Sequence, residues 1–288
     1  MSATTTVAQA LQQALARGLP RIDAQLLLLH ALGQPLDARA WLLTHDGDAM
    51  EDVVAGAQQA FEALCQRRLA GEPVAYLTGR KEFYGLLLQV DARVLDPRPD
   101  TETLVDWALE LLPGKPGLRL ADLGTGSGAI ALALQSQRPA AEVWAVDASD
   151  DALAVARANA ERLRLPVRFA RSDWLAALEG AFDAIVTNPP YIRDDDPHMA
   201  ALRHEPRQAL TSGADGLADI RRIVQAAPAH LRDGGWLLIE HGWDQAGAVR
   251  ALLAQQGFAQ VQSREDLAGI ERATGGCWPA ARVLPVVK

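Results

Sequence analysis

The chain is expected to fold as an α/β protein, a mainly parallel sheet with helices on both faces, preceded by a small helical bundle. Two observations predict this. From residue 118 onward, short β-branched and apolar runs alternate with amphipathic helical stretches, the pattern of strands joined by crossover helices. Before residue 80, apolar residues recur at helical spacing only, with short polar breaks and no alternating run. A chain of 288 residues suits one large or two ordinary domains, and with nearly half its residues apolar it can bury a sizeable core.

In the bundle, Thr6 is expected to cap a helix over 7–15 that Gly18-Leu19-Pro20 ends. A second helix is expected over 23–32, closed by Gly33-Gln34-Pro35, and a short third over 37–44. A fourth, over 52–70, carries Val54, Ala57, Phe61, Leu64 and Cys65 as one stripe. Glu72-Pro73 opens a further short turn. Between Lys81 and Leu95 the pattern changes to two short strands with a turn expected near Asp91. Asp100 then caps a helix through Leu112. Strands follow over 118–122, 142–146, 167–170, 183–186, 236–240 and 259–262, with helices over 130–135, 151–163, 219–231 and 244–256. A closing strand is expected over 282–287, at a sheet edge because of Pro285.

Composition narrows the function. The formal charge of −8, with no basic run longer than Gln66-Arg67-Arg68, argues against a protein that wraps DNA. Cys65 and Cys277 have neither metal-ligand nor disulfide-framework spacing, and read as free thiols of a reducing cytoplasm. No apolar run reaches the roughly 18 residues of a membrane span. Met1 to Arg21 lacks the basic flank and apolar core of a secretory signal. His30 and His45 stand alone, and Asp194-Asp195-Asp196 reads as a solvated loop, so no metal site is expected.

Ligands of such sheets lie beyond the C-terminal ends of the strands, and four informative stretches fall there. Gly124-Thr125-Gly126-Ser127-Gly128 joins the first strand of the alternating region to its helix; its glycines permit positive φ and close approach of a ligand to the backbone. Read as Gly124-x-Gly126-x-x-Ala129, it fits the dinucleotide fingerprint and does not by itself separate a nicotinamide cofactor from S-adenosylmethionine. Asp147 closes the second strand, about 20 residues beyond Gly124, where an acid can accept ribose hydroxyls. Asp173 and Trp174 follow the third; a carboxylate can take an adenine N6 proton and an indole can stack on the purine. Asn188-Pro189-Pro190-Tyr191 follows the fourth. Two prolines fix φ and remove two donors, and Asn188 is forced to be extended ahead of them. This rigid corner suits a planar –NH2 group: the Asn188 oxygen and the Pro189 carbonyl each accept one N–H, and Tyr191 covers the flat face. Such fixed acceptors let the nitrogen lone pair leave conjugation as it attacks an electrophilic carbon. Pro-Pro alone often marks only a loop; the strand before it and the glycine-rich loop earlier in the chain favour the clamp. In this strand order the four stretches match class I S-adenosylmethionine-dependent methyltransferases, whereas hydride transfer has no use for an amine clamp.

Arg98-Pro99-Asp100-Thr101-Glu102, the Asp122 to Gly128 loop, Asn188-Pro189-Pro190-Tyr191-Ile192, Glu205-Pro206, Gly213-Ala214-Asp215-Gly216-Leu217 and Leu238-Ile239-Glu240-His241-Gly242-x-x-Gln245 together resemble the peptide chain release factor glutamine N5-methyltransferase family. Glu72-Pro73-Val74-Ala75-Tyr76-Leu77-Thr78-Gly79 and the helical N-terminal region extend the likeness over nearly the whole chain. The resemblance implies a Rossmann-like class I methyltransferase domain over 98–288 with an antiparallel last strand, a β-hairpin linker over 81–97, and a helical substrate-recognition domain over 1–80. It implies methyl transfer from S-adenosyl-L-methionine, leaving S-adenosyl-L-homocysteine, to the glutamine of the Gly-Gly-Gln motif of bacterial class I release factors. That is a cytoplasmic task in translation termination that needs no metal, membrane or nucleic acid. Carried over, Gly124, Thr125, Gly126, Ser127, Gly128, Asp147, Trp174 and Asn188 bind the cofactor. Asn188, Pro189, Pro190 and Tyr191 bind the substrate, and Asn188, Pro189 and Tyr191 are catalytic. Trp174 stands where a phenylalanine is more usual, and His241 where an aliphatic residue is typical of the family. The alternative is an amino-methyltransferase acting on N6 of adenine or another nucleic-acid amine, since the same clamp can grip a flipped base. A cofactor-binding module without catalysis is a third possibility, against which the intact clamp argues.

Overall fold

The chain forms two units, Met1–Arg80 and Lys81–Lys288; the structure, a computed structural model, describes residues 5–112, 114 and 116–280. The first unit contains helices α1 (Val7–Ala16), α2 (Arg21–Ala31), α3 (Trp41–Thr44), α4 (Met50–Val53), α5 (Ala57–Leu69) and α6 (Val74–Thr78). Thr6 starts α1 as expected: its hydroxyl accepts the Gln9 N–H at 3.3 Å while Gln9 Oε1 accepts the Thr6 N–H at 3.0 Å, a reciprocal cap. Helix α2 packs against α1, α5 and α6. That is why three consecutive leucines, Leu27, Leu28 and Leu29, are all fully buried, each contributing about 2 kcal/mol by burial.

Two expectations for this unit are corrected. The third helix is shorter, beginning at Trp41. The expected fourth helix is two, interrupted at Gly56, whose φ of 79° is left-handed. The Glu51 carboxylate reaches the start of α5, accepting from Gly56 N at 2.8 Å and Gln58 N at 3.1 Å. Val54 falls in the break and is 37% exposed, so the buried stripe is Ala57, Phe61, Leu64 and Cys65.

The second unit opens with a two-stranded hairpin, β1 (Arg80–Phe83) and β2 (Leu86–Gln89). Its turn is Tyr84-Gly85, not the neighbourhood of Asp91: φ is 52° and 75° at the two positions, the signature of a tight primed turn. The continuous apolar run hid it, because Tyr84 is an unusual residue for positive φ. Its cost is offset by two bonds, Tyr84 N–H to Glu102 at 2.9 Å and the phenol to Asp106 at 2.6 Å. The buried Asn159 joins β2 to the glycine-rich loop: it exchanges two bonds with the Gln89 backbone and donates to the Ser127 carbonyl at 3.0 Å.

The main sheet has seven strands, β3 (Arg119–Leu123), β4 (Glu142–Asp147), β5 (Arg168–Arg171), β6 (Phe182–Thr187), β7 (Leu231–Glu240), β8 (Ala259–Glu265) and β9 (Glu271–Cys277), in the order β5-β4-β3-β6-β7-β9-β8. The first five in this order pair parallel; β9 pairs antiparallel with both β7 and β8. Helices α7 (Glu102–Leu111), α8 (Ala129–Gln137), α9 (Asp150–Leu163), α10 (Ala218–Ala226) and α11 (Ala246–Gln256) join or cover the strands. The helix start expected at Asp100 is a 3-10 turn over Pro99–Thr101, and α7 begins at Glu102. Helix α10 ends at Ala226, earlier than expected, because Pro228 turns the chain into a 3-10 segment, Ala227–His230.

Strand β9 was not legible. Its centre, Thr274-Gly275-Gly276, lacks β-branched bulk because the backbone is crowded: a Cβ on Gly275 would sit 2.5 Å from Leu238 Cδ2 and 2.9 Å from Trp107 Cη2. The strand expected over 282–287 lies outside the described residues. Strand order reverses between β4 and β6 on either side of β3, which places the ligand crevice at the C-terminal ends of these strands. The register confirms which residues meet there. Leu123 pairs with both Val146 and Thr187, and Thr187 with Ile239, so Gly124, Asp147, Asn188 and Glu240 leave the sheet side by side.

Candidate active site

A cavity of about 610 Å³ lies at this edge, with Gly124, Gly126, Asp147, Trp174, Asn188 and Pro190 on its wall. Gly124 and Gly126 adopt φ of 67° and 54°, and nothing lies within 4 Å of where a Cβ on Gly126 would be; a side chain there would occupy open cavity. Asp147 is fixed by two backbone donors, Gly126 N at 3.0 Å and Ser149 N at 2.9 Å. Two of its lone-pair directions are thereby used, of the roughly four a carboxylate has. Ser149 caps α9, accepting the Ala152 N–H at 3.2 Å.

Three residues expected to bind cofactor do not line this cavity. Thr125 is buried and donates to Asp122 Oδ2 at 2.6 Å, which also accepts from Ala131 N at 3.1 Å. Ser127 is buried and gives its carbonyl to Asn159. Gly128 ends the loop at φ 86°, where a Cβ would meet Leu132 at 3.0 Å and Ala156 at 3.3 Å. These three shape the loop. Full burial pushes the Asp122 carboxyl up to about 7, against the bonds from Thr125 and Ala131.

Trp174 sits at φ 51°. Its indole edge lies over Gly124, where a Cβ would meet Cζ3 at 3.2 Å, and its Nε1 donates to Asp219 at 3.1 Å. Asp173 lines the cavity too, but its carboxylate is paired with Arg222 at 2.5 Å. Asp219 was not singled out from the sequence. It orients Trp174 and binds Ser212 through both the hydroxyl and its own N–H, each at 2.8 Å.

The Asn-Pro-Pro-Tyr corner is held from several sides. Thr187 closes β6 by donating to the Leu123 carbonyl at 2.8 Å. Asn188 Nδ2 donates to Thr101 Oγ1 at 3.1 Å. Among the described residues, Asn188 Oδ1 and the Pro189 carbonyl have no hydrogen-bond donor. Pro189 is buried and Pro190 partly so. Tyr191 turns its phenol toward Glu240, 3.5 Å from Oε1, and burial first, then the Glu240 charge, holds that phenol well above its usual range. Gln245 staples the corner: Nε2 donates to the Tyr191 carbonyl at 2.9 Å while Oε1 accepts from Gly242 N at 2.8 Å. Arg98 pairs with Glu205 at 2.5 Å, tying the loop after the corner to the segment before α7. Thr101, Glu240 and Gln245 gave no sequence signal of their role beyond their place in recurring motifs.

The chain matches the Methyltransferase small domain model over residues 105–254 and the PrmC N-terminal domain model over residues 2–79. It is 52% identical over 263 residues to the release factor glutamine methyltransferase of Bordetella pertussis, covering 90% of this chain and 95% of that protein. The chain belongs to the release factor glutamine methyltransferase family. The methyltransferase is also 51% identical to the Burkholderia pseudomallei protein of that name, over 91% of this chain and 93% of the relative. Its fold is that of a methyltransferase from Pyrococcus furiosus, with a TM-score of 0.55 at 18% identity over 75% of this chain and 98% of that one. Among the described residues no helix is long and apolar enough to cross a membrane.

His241, expected from the sequence to be a departure, has a structural account. It is fully buried, with Nδ1 2.9 Å from the Gly242 carbonyl and Nε2 2.7 Å from Thr274 Oγ1. A carbonyl only accepts, so Nδ1 carries the proton and Nε2 accepts from Thr274. Ser263 then donates to Thr274 at 2.8 Å, and Arg250 to Ser263 at 2.6 Å. Burial lowers the His241 pKa from its ordinary 6.5, so the folded state holds a neutral ring that the unfolded chain would protonate. The stability this contributes is complete above the unfolded pKa of about 6.5 and is lost as pH falls toward the lowered folded value. His241→Ala is expected to cost about 2–4 kcal/mol at pH 8 and to flatten the acid side of the stability profile. Urea denaturation of both proteins across the acid range checks this; parallel profiles would contradict it.

Proposed function

We propose that this methyltransferase transfers the methyl group of S-adenosylmethionine to the side-chain amide nitrogen, N5, of the glutamine in the Gly-Gly-Gln motif of class I peptide chain release factors. One observation carries the reading. Asn188 Oδ1 and the Pro189 carbonyl, both without a donor among the described residues, sit on a corner braced by Thr101 and Gln245 at the mouth of a cofactor-sized cavity. Two fixed acceptors fit the two N–H groups of a primary amide, whereas a hydroxyl has one proton to give and an ionised carboxylate none.

The residues present fit S-adenosylmethionine. Gly124 and Gly126 leave room for a ligand against the backbone, Asp147 keeps lone pairs for a ribose diol, and the Trp174 ring is fixed by Asp219. When bound, the sulfonium supplies an electrophilic methyl carbon with a neutral leaving group. The protein's own work is then alignment and polarisation. Asn188 and Pro189 hold the amide N–H groups so that the nitrogen lone pair leaves conjugation and points along the line of attack. Neither acceptor is basic enough to keep the proton that nitrogen sheds, so it passes to water. Tyr191 closes one side of the corner. The helical unit, Met1–Arg80, contributes to holding the release factor, and the reaction belongs to the cytoplasm.

The test is methyl transfer from labelled S-adenosylmethionine to three acceptors: a release factor, the same factor with its Gly-Gly-Gln glutamine changed to alanine, and plasmid DNA. Label on the intact factor alone is the expected result. Label on DNA would replace the substrate with a nucleic-acid amine, and cofactor binding without transfer would overturn the reading of the clamp.

A further inference from the structure

Asp219 lies in the first turn of α10, on the wall of the cavity. Its carboxylate stands between two donors. Oδ1 accepts the Trp174 indole N–H at 3.1 Å, and Oδ2 accepts the Ser212 hydroxyl at 2.8 Å. Ser212 is 3% exposed, and its oxygen takes the Asp219 backbone N–H at 2.8 Å in return. Arg222, three residues on, lies 3.4 Å from Oδ1 and offsets the charge.

The two donors lead to different halves of the site. Trp174 lines the cavity, with the six-membered end of its ring over Gly124. An indole N–H only donates, so the bond to Asp219 holds the ring to one setting of its side-chain torsions. Ser212 leads instead to the Asn-Pro-Pro-Tyr corner. Tyr191 N and Ile192 N donate to the Leu210 carbonyl at 3.2 and 2.9 Å, and Ser212 N donates back to the Ile192 carbonyl at 2.9 Å. Ile192 and Thr211 form a parallel bridge between the two segments. Two side-chain bonds and this short ladder therefore run without a break from the cavity ring to the corner. A carboxylate suits the junction, because it presents an acceptor to each donor at once; an amide has one oxygen only.

We propose that Asp219 is a positioning residue for both halves of the site: through Oδ1 it sets the Trp174 ring against the cofactor, and through Oδ2 and Ser212 it steadies the corner that holds the substrate amide. The proposal rests on the reading of Trp174 as a cofactor contact and of the corner as the amide clamp. It separates two effects. Without the Trp174 bond, cofactor binding must itself immobilise the ring, and affinity falls about two- to tenfold. Without the Ser212 bond, the ladder beside Tyr191 loosens and kcat falls about tenfold.

The test compares Asp219→Ala, Trp174→Phe, Ser212→Ala and the double variant Asp219→Ala/Trp174→Phe in the full chain. Trp174→Phe keeps an aromatic ring and deletes the N–H. S-adenosylmethionine affinity, measured by calorimetry, is expected to fall in Asp219→Ala and Trp174→Phe, to be no weaker in the double variant than in Trp174→Phe, and to stay near wild type in Ser212→Ala. At saturating cofactor, kcat is expected to fall in Asp219→Ala and in Ser212→Ala. Amide hydrogen exchange reads the corner without any substrate: Tyr191 and Ile192 should exchange faster in Asp219→Ala and Ser212→Ala, and at the wild-type rate in Trp174→Phe. Affinity losses that multiply in the double variant, or unaltered exchange in Asp219→Ala, would overturn the proposal. Should Asp219→Ala fail to fold, the other two single variants each cut one of its bonds and decide the same question: affinity loss without faster exchange in Trp174→Phe, and the reverse in Ser212→Ala, support it, and any other pairing overturns it. If the wild type modifies no glutamine, the function reading fails, while affinity and exchange still decide the role of Asp219.

Discussion

Asn188→Ala is expected to lower turnover by about 10²–10³ while leaving S-adenosylmethionine affinity within a few-fold of wild type. The substitution removes the one side-chain acceptor of the corner and leaves the Pro189 carbonyl, so a glutamine –NH2 is gripped by one N–H instead of two. The folded structure loses only the bond from Asn188 Nδ2 to Thr101 at 3.1 Å. The two prolines, the Gln245 staple and the Thr187 bond to Leu123 remain to hold the backbone. Pre-steady-state methyl transfer and cofactor binding, measured side by side, separate the two quantities. Turnover unchanged within a few-fold would contradict the assigned role; affinity and turnover falling together would place Asn188 chiefly at the cofactor.

Gly216→Ala is expected to damage both stability and activity, although residue 216 stands well beyond the corner in sequence. Gly216 is buried at φ 72°, and a Cβ there would run into the Tyr191 carbonyl and lie 2.8 Å from Gln245 Nε2. These are the two partners of the staple that holds the corner. Left-handed strain and the enforced backbone shift together should cost about 2–4 kcal/mol, with a fall in kcat from displacement of Tyr191 and its neighbours. Gly213→Ala is the control. It too has positive φ, 74°, but its Cβ would meet only the Ala218 methyl, at 3.2 Å, so about 1 kcal/mol and near-normal turnover are expected. Denaturation and turnover for the pair check the contrast. Equal effects would mean that strain alone, not pressure on the Tyr191 carbonyl, governs this loop.

The two glycines also show what could be read from the chain. The Gly213 to Leu217 stretch stood out as a recurring motif, but its partner, the Tyr191 carbonyl, is a backbone atom that no residue type marks. The central parallel strands β3 and β6 and the second half of β7 were legible because each is a buried, largely apolar run between turn signals, and the strand order placed the glycine loop, Asp147, Trp174 and Asn188 at one edge. Strand β9 was not, because crowding against Leu238 and Trp107 selects glycine where β-propensity would select valine. The hairpin turn was misplaced because Tyr84 takes a positive φ that its contacts with Glu102 and Asp106 sustain. At the site, the residues that wall the cavity, Gly124, Gly126, Asp147, Trp174 and Asn188, were visible by type and position. Those that hold them, Thr101, Asp219 and Gln245, were not, because their roles depend on distances between segments far apart in sequence. Thr125, Ser127 and Gly128 belong to the same loop motif but do not line the cavity, a distinction that residue type alone does not make.

The most direct measurement is fragmentation mass spectrometry of a release factor after reaction with the wild-type protein and S-adenosylmethionine. One methyl mass confined to the side chain of the Gly-Gly-Gln glutamine, and absent after reaction with Asn188→Ala over the same interval, is the predicted result. Methylation at another residue, or on that glutamine at an undiminished rate with Asn188→Ala, would contradict the claim that this corner grips the amide it modifies.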